Sequence, residues 1–92
     1  SYLSDDERAV APVLYETLTW AGEELQNGRR NFEQLESEAI DRLRVAGFDV
    51  DYFAIRRAQN LEQPDRDCDE LVLLAAARLG GARLIDNIVI TI

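Results

Sequence analysis

The segment that decides the fold is residues 76–87, which read AARLGGARLIDN. Two adjacent glycines, Gly80 and Gly81, separate two aliphatic segments, and glycine supplies the positive φ angles that a two-residue hairpin turn requires. We therefore predict a β-hairpin at the end of the chain, with strands over 71–79 and 82–90. Such a turn also fixes the pairing of the two strands. The predicted pairs are Leu79 with Ala82, Arg78 with Arg83, Ala75 with Asp86, and Leu74 with Asn87.

One face of the hairpin is predicted to lie under helices. Because side chains alternate between the two faces of a strand, this face carries Leu71, Leu73, Ala75, Ala77, Leu79, Leu84, Asp86, Ile88 and Ile90. Asp86 is the only charged member of the set, and a buried carboxylate without a partner is strongly unfavourable. We therefore predict that Asp86 is a structural buried polar residue whose partner is an arginine or a pair of backbone N–H groups.

The opposite face of the hairpin is too apolar to be a plain solvent face. It carries Val72, Leu74, Ala76, Ile85 and Val89, together with Arg78, Arg83 and Asn87. Arg78 and Arg83 lie directly opposite each other, so they repel unless an anion or an acidic side chain bridges them. The sequence therefore predicts that a further group neutralises or covers this side.

Two main helices are predicted upstream of the hairpin. Ser4 and Glu7 have the spacing of a capping box, and Pro12 then breaks the chain, so that the first main helix runs over about 12–26. The second begins at the N-cap residue Asn31, with Gln34 at the capping-box position, and stops at Gly47. Because the connector between the helices is short, we expect them to pack against each other.

A third strand is predicted over 48–57, followed by a surface loop over 58–70 with one helical turn at 58–61. Its two faces are predicted to be Phe48, Val50, Tyr52 and Ala54 on one side and Asp49, Asp51 and Phe53 on the other. We interpret the two aspartates as solvent-facing rather than as an acid–base pair. The order of elements predicts an α+β fold of two layers, with two main helices packed on a small three-stranded antiparallel sheet that ends in a β-hairpin.

Composition excludes several classes of function. The chain of 92 residues has a net charge of −8, no histidine and a single cysteine. An acidic chain argues against binding to nucleic acid or to an anionic membrane surface. All the basic residues are arginine, so Schiff-base chemistry and the usual histidine general base are both missing. Cys68 alone can form neither an intramolecular disulfide nor a cysteine-based zinc site, and a cytoplasmic location is predicted.

The acid-rich segment 65–69 invites a comparison with a calcium-binding loop. An EF-hand needs glycine at loop position six and glutamate at position twelve, where this chain has Glu70 and Ala76. A strand is also predicted after the segment, where an EF-hand has a helix. We therefore predict a solvated acidic loop and no metal site.

Three segments in order carry a resemblance to a known family. Residues 2–8, which read YLSDDER, resemble the pattern Tyr-Leu-(Ser/Thr)-x-x-(Glu/Gln)-Arg, and residues 47–55 are similar to a Gly-Phe-x-x-Asp-Tyr strand start. Residues 76–87 resemble the final hairpin of the same family. On these segments the chain is similar, over nearly its whole length, to the C-terminal domain of pantothenate synthetase (pantoate–β-alanine ligase).

The resemblance implies a full-length enzyme that condenses pantoate with β-alanine. The reaction would use ATP and Mg²⁺, pass through a pantoyl-adenylate and release AMP and pyrophosphate. The family's His-x-Gly-His and Ser-Ser-Arg-Asn motifs lie upstream of Ser1, so residues 1–92 are expected to be an excised lid domain whose partner is the N-terminal nucleotide-binding domain. We expect this domain to be inactive alone, and we assign it no catalytic, cofactor-binding or metal-binding residue.

Two interpretations of the polar hairpin residues stay open. In the first, Arg78, Arg83, Asp86 and Asn87 only hold the domain together through ion pairs and turn hydrogen bonds. In the second, Arg78, Arg83 and Asn87, with Arg8 after the hinge, contact the nucleotide-binding domain or face its active-site cleft. The alternative to the ligase is a free-standing acidic protein-interaction module that binds through the apolar hairpin face. We also expect weak self-association of the isolated domain.

Overall fold

Three helices are followed by three strands in the computed structural model of the chain, which describes residues 3–92. The elements are α1 (Asp5–Val10), α2 (Val13–Gln26), α3 (Phe32–Ala46), β1 (Asp49–Arg57), β2 (Glu70–Leu79) and β3 (Ala82–Thr91). The strands form one antiparallel sheet in the order β1-β2-β3. Since α2 and α3 pack on one face of this sheet, the predicted two-layer α+β fold is confirmed. Tyr2, at the start of the first family-like segment, lies outside the described residues.

The predicted capping box and the break at Pro12 are both confirmed. The backbone N–H of Glu7 donates to the Ser4 hydroxyl at 3.2 Å, and the N–H of Ser4 donates to the Glu7 carboxylate at 2.8 Å. α1 ends at Val10, and Pro12 is the N-cap of α2. Proline has no N–H with which to continue the hydrogen bonds of a preceding helix, so the chain starts a second helix there. Within residues 3–92, no helix is both long enough and apolar enough to span a membrane.

α3 begins and ends where the sequence indicates, although its first turn is capped differently. The Asn31 side chain makes no hydrogen bond to the helix backbone and instead donates to the side-chain oxygen of Gln34. At the other end Gly47 has a φ of 112°, the left-handed conformation that glycine readily adopts after a helix. Arg29, in the connector, forms ion pairs with Glu24 of α2 and Glu38 of α3, which ties the two helices together.

The hydrophobic core lies between α2, α3 and the covered face of the sheet. Its fully buried large side chains are Leu18, Leu25, Leu35, Leu43, Ile55, Leu71 and Leu73. α2 also packs closely on β3 at Gly22, which has no side chain. A Cβ atom added there would lie only 3.1 Å from Cδ1 of Ile88 and 3.3 Å from Cγ2 of Ile90. Ile88 and Ile90 therefore face the helices, as the alternation along the hairpin predicts.

The hairpin has the predicted register. Leu79 pairs with Ala82, Arg78 with Arg83, Ala75 with Asp86, and Leu74 with Asn87. Gly80, the first residue of the turn, has a φ of 59°. Two-residue hairpin turns need a positive φ at this position, so the turn chemistry fixes the pairing along the whole of β3.

The alternation predicted for β1 is wrong after Val50. The register between β1 and β2 shifts between Val50 and Tyr52, which leaves Asp51 as an extra residue without a partner in β2. An extra residue of this kind is a β-bulge, and it reverses the faces of the residues that follow it. Phe53 consequently lies in the core at 4% exposure, whereas Tyr52 is 41% exposed on the other side of the sheet.

The segment between β1 and β2 is the predicted surface loop with one helical turn. The N–H of Leu61 donates to the carbonyl of Arg57 at 2.9 Å, and the N–H of Arg57 donates to the carbonyl of Glu62 at 2.9 Å. The Arg57 guanidinium also pairs with Asp65 at 2.5 Å. The first acid of the 65–69 segment is therefore engaged in holding the loop against the end of β1.

Candidate functional site: the open face of the sheet

The side of the sheet that faces away from the helices, here called the open face, carries three of the polar residues singled out from the sequence, namely Arg78, Arg83 and Asn87. Residues that pair directly across antiparallel strands share a face, so the register arranges the open face in rows. The row nearest the hairpin turn contains Asp49, Arg78 and Arg83. The next row contains Tyr52, Ala76 and Ile85, and further rows end in Asn87 and Val89. The open face is therefore charged near the turn and apolar beyond it.

Asp51 is the acid that bridges the two arginines. Its carboxylate accepts a hydrogen bond from Nε of Arg83 at 2.7 Å and lies 3.9 Å from Nε of Arg78. Mutual repulsion of the arginine pair, which lies on β2 and β3, is thereby relieved by a residue of β1. The sequence interpretation of Asp51 as a plain solvent-facing residue missed this role. The signal that could have revealed it is the alternation itself, since Asp51 and Phe53 share a parity but differ completely in polarity.

The ion cluster changes the acidity of its aspartate. The hydrogen bond from Arg83 is the largest cause of a lowered pKa at Asp51. Partial desolvation acts in the opposite direction, and the positive charges of Arg83 and Arg78 lower the pKa further. Asp51 is therefore held in its charged form, which is the form that screens the two guanidinium groups from each other.

Arg78 is the least satisfied member of the cluster. Its side chain is 60% exposed, and its 3.9 Å approach to Asp51 is too long for a hydrogen bond. Arg83, by contrast, uses Nε in the direct bond to Asp51. Within the described part of the chain no hydrogen bond involves the Arg78 guanidinium, and its side chain is open to solvent.

Exposed apolar side chains continue the open face beyond the charged row. Ile85 and Val89 of β3 are 62% and 60% exposed, and Tyr52 contributes a third apolar surface. Val72 and Ala76 are buried on the same face because they lie on the central strand between larger neighbours. The predicted apolar patch is thus real, but the side chains that present it are Ile85, Val89 and Tyr52 rather than Val72 and Leu74.

Of the partners predicted for Asp86, an arginine or a pair of backbone N–H groups, the structure shows one backbone N–H and no arginine. Asp86 is only partly buried, and its carboxylate accepts a hydrogen bond from the backbone N–H of Asn87 at 2.8 Å. No ion pair of Asp86 occurs among the described residues. β3 is one of the two edge strands of the sheet, where a side chain can turn toward the unpaired edge. A single backbone donor therefore replaces the buried charge pair.

Arg8 lies at the same end of the domain as the ion cluster. It is exposed in α1, and its neighbour Glu7 packs so closely on the turn that a Cβ atom on Gly80 would overlap the Glu7 carboxylate. The structure thus brings Arg78 and Arg83 together and places the helix that carries Arg8 beside the turn between their two strands. Asn87 is exposed on the open face, in a different row from the arginines.

The described residues form clefts, but none of them contains a cluster of metal-ligating side chains. No group of three or more His, Cys, Asp or Glu side chains in residues 3–92 is arranged to hold a metal. The acidic loop surrounds a cleft of about 250 Å³, but Asp65 there already pairs with Arg57. A groove of about 500 Å³ between α2 and α3 is lined by Val13, Thr17, Arg42 and Val45, among others, and holds no phosphate-binding constellation.

Fold and site together define a small α+β domain whose open face is charged near the hairpin turn and apolar beyond it. A family model described as Pantoate-beta-alanine ligase matches residues 1–89. The chain belongs to the pantoate-beta-alanine ligase family.

Curated relatives and solved structures agree with this assignment. The chain is 54% identical over 87 residues to the pantothenate synthetase of Nitrosococcus oceani, a match that covers 95% of the chain and 30% of that protein. It is 45% identical over 92 residues to the pantothenate synthetase of Methylococcus capsulatus, with 100% and 32% coverage. A crystal structure of pantothenate synthetase from Thermus thermophilus superposes with a TM-score of 0.82 at 32% identity and covers 95% of the chain and 32% of that protein. The chain thus spans about a third of the length of these relatives.

Proposed function

We propose that this chain is the C-terminal domain of a pantothenate synthetase, the ligase that condenses pantoate with β-alanine. The observation that carries the proposal is the family match over residues 1–89, combined with coverage of only 30–32% of each relative. The resemblance of the segments 2–8, 47–55 and 76–87 to the C-terminal part of the family supports the same position in the enzyme.

In this proposal the chemistry belongs to the rest of the enzyme. Activation of a carboxylate by ATP depends on positioned donors that stabilise the charge developing on the phosphates. Two features support this division: the chain contains no histidine, and Arg78 and Arg83 of the open face already share Asp51. ATP and Mg²⁺ would therefore bind to the N-terminal nucleotide-binding domain, which is the proposed partner of this chain.

The role of this domain would be to close over the active-site cleft. A pantoyl-adenylate is an activated acyl compound, and closure of a lid limits its loss to water before β-alanine attacks. A rigid domain with one unoccupied sheet face is suited to that task, because its own core is complete between the helices and the other face. The lid residues themselves make no covalent contribution.

Calorimetry on two proteins tests the proposal. The 92-residue chain titrated with ATP and Mg²⁺ is expected to show no specific heat of binding and no release of AMP from ATP in the presence of pantoate and β-alanine. The full-length protein that contains this chain is expected to bind ATP with a measurable heat and to release AMP when pantoate and β-alanine are present. Specific ATP binding by the 92-residue chain, or a full-length protein that forms no pantothenate, would contradict the proposal.

The alternative, a free-standing acidic interaction module, is favoured by one observation, which is the exposure of Ile85 and Val89. The family membership accounts for the same exposure, because a domain separated from a larger enzyme also presents an uncovered face. The two functions differ in the coding sequence directly upstream of Ser1: codons for Ser-Ser-Arg-Asn there are expected for the ligase.

A further inference from the structure

The strongest unexplained feature of the molecule is the open face, where exposed apolar side chains lie beside a guanidinium with unused donors. Building on the proposed function, we infer that the open face is the surface by which this domain contacts the remainder of the ligase. Ile85 and Val89 supply the apolar contact, and Arg78 supplies the charged one. The complementary surface is an apolar segment flanked by a carboxylate or another hydrogen-bond acceptor.

The apolar part of the argument rests on position as well as exposure. Ile85 and Val89 lie on the same face of β3, two rows apart, and Tyr52 extends the row of Ile85 across the sheet. Single exposed aliphatic residues are common, but a contiguous group bordered by charges is typical of contact surfaces. Tyr52 and Ile85 present exposed apolar surface on the two edge strands of one row, and Val89 adds to it on β3 beyond Asn87.

The ion cluster gives this surface a defined orientation. Asp51 fixes Arg83 through a direct hydrogen bond and leaves Arg78 with open donors and 60% exposure. Charge-assisted hydrogen bonds to an acceptor are stronger than neutral ones and depend on direction. Arg78 can therefore set the register of the domain contact, while Asp51 acts as the residue that positions the pair.

The order of the chain favours the rest of the ligase over a second copy as the occupant. Relatives are about three times as long as this chain, which covers 30–32% of them, so ample protein is available to cover the face. α1 packs on the hairpin turn through Glu7 and Gly80, beside the charged row, so a segment preceding α1 would lie near that row. Two separate copies, each with a net charge of −8, repel each other, whereas a tethered domain benefits from a high effective concentration.

Hydroxyl-radical footprinting of the 92-residue chain and of the full-length protein tests the inference. Tyr52 reports on the open face, and Tyr15, which is 56% exposed in α2, is the matched control in the helical layer. We expect modification of Tyr52 to fall several-fold in the full-length protein while that of Tyr15 stays unchanged. Equal reactivity of Tyr52 in both proteins would overturn the inference. Protection of Tyr52 that disappears on dilution of the full-length protein would assign the face to a second copy and overturn it as well.

Substitutions on the open face give a second test, in which the footprint of Tyr52 is compared between variants of the full-length protein. Ile85→Glu combined with Val89→Glu is expected to restore Tyr52 reactivity in the full-length protein, while Val45→Glu, at an equally apolar position that is 90% exposed in α3, is not. The double variant and the Val45→Glu control should each leave the melting temperature of the 92-residue chain nearly unchanged. Footprinting needs no catalysis, so protection of Tyr52 in a protein that makes no pantothenate would refute the proposed function and leave the contact surface standing.

Discussion

Replacing Phe53 with alanine tests which way β1 turns its side chains. The structure places Phe53 in the core at 4% exposure, next to the buried Ile55. Truncation of a buried phenylalanine leaves a cavity and is expected to lower the free energy of unfolding by about 3–5 kcal/mol. At roughly 0.05–0.15 kcal/mol per residue, a chain of 92 residues has a total stability of about 5–14 kcal/mol. Phe53→Ala should therefore remove a large share of the stability of the domain.

Tyr52→Ala is the matched control, because Tyr52 is the adjacent aromatic residue and lies on the open face at 41% exposure. Its cost is expected to stay below about 1 kcal/mol, as for most surface substitutions. Urea unfolding of the 92-residue chain, followed by the fluorescence of Trp20, measures both. With a slope of about 1–3 kcal/mol per molar urea, Phe53→Ala should lower the midpoint by about 1 M or more.

If β1 were a regular strand without a bulge, the relative sizes of the two losses of unfolding free energy would be reversed. Tyr52→Ala would then be the costly change, and that result would refute the structural account of β1. If Phe53→Ala fails to fold, Phe53→Leu keeps the comparison measurable, since it retains most of the side-chain volume and is expected to cost less than about 1.5 kcal/mol.

Three further changes probe the site and the turn. Asp51 has a lowered pKa in the folded state, so its contribution to stability is present above the ordinary carboxyl pKa near 4 and is lost as the pH falls through the lower folded value. The urea midpoints of wild type and Asp51→Asn should therefore differ at pH 7 and converge in acid. A difference in midpoint that stays constant with pH would contradict this. Gly80→Ala should lower the melting temperature, because Gly80 has a positive φ and a Cβ there would push the Glu7 carboxylate away from its hydrogen bond with the N–H of Ser4; an unchanged melting temperature would contradict this reasoning. The 92-residue chain should self-associate weakly, with a dissociation constant in the micromolar range or higher, and Val89→Glu should abolish the association. Sedimentation velocity that shows a wild-type monomer at every concentration would rule this out.

The hairpin can be predicted residue by residue because its information is local. Gly80 and Gly81 define a turn of two residues, and a turn of known length leaves only one register for the strands. The helix boundaries at Ser4, Pro12 and Gly47 are local for the same reason, since each depends on backbone chemistry at one or two positions. The fold class follows from the order of these elements and is confirmed.

The parts that sequence does not reveal depend on contacts between distant segments. The only trace of the bulge in the sequence is the difference in polarity between Asp51 and Phe53, and strict alternation extended through Asp51 assigns the wrong faces to Tyr52 and Phe53. The predicted burial of Asp86 rests on strand parity alone, which does not show how far the helices extend over an outer strand. Neither error changes the fold, but the first one conceals the residue that neutralises the arginine pair.

The bulge links the core of the domain to its open face. Asp51 and Phe53 are two positions apart and would share a face in a regular strand. The arginine pair requires a carboxylate on the open face, and the core requires an aromatic ring beneath the helices, so regular geometry could satisfy only one of these demands. The extra residue at Asp51 satisfies both, because its carboxylate reaches Arg78 and Arg83 near the hairpin turn while Phe53 enters the core. The geometry of the proposed contact surface is therefore set by the same backbone irregularity that completes the core.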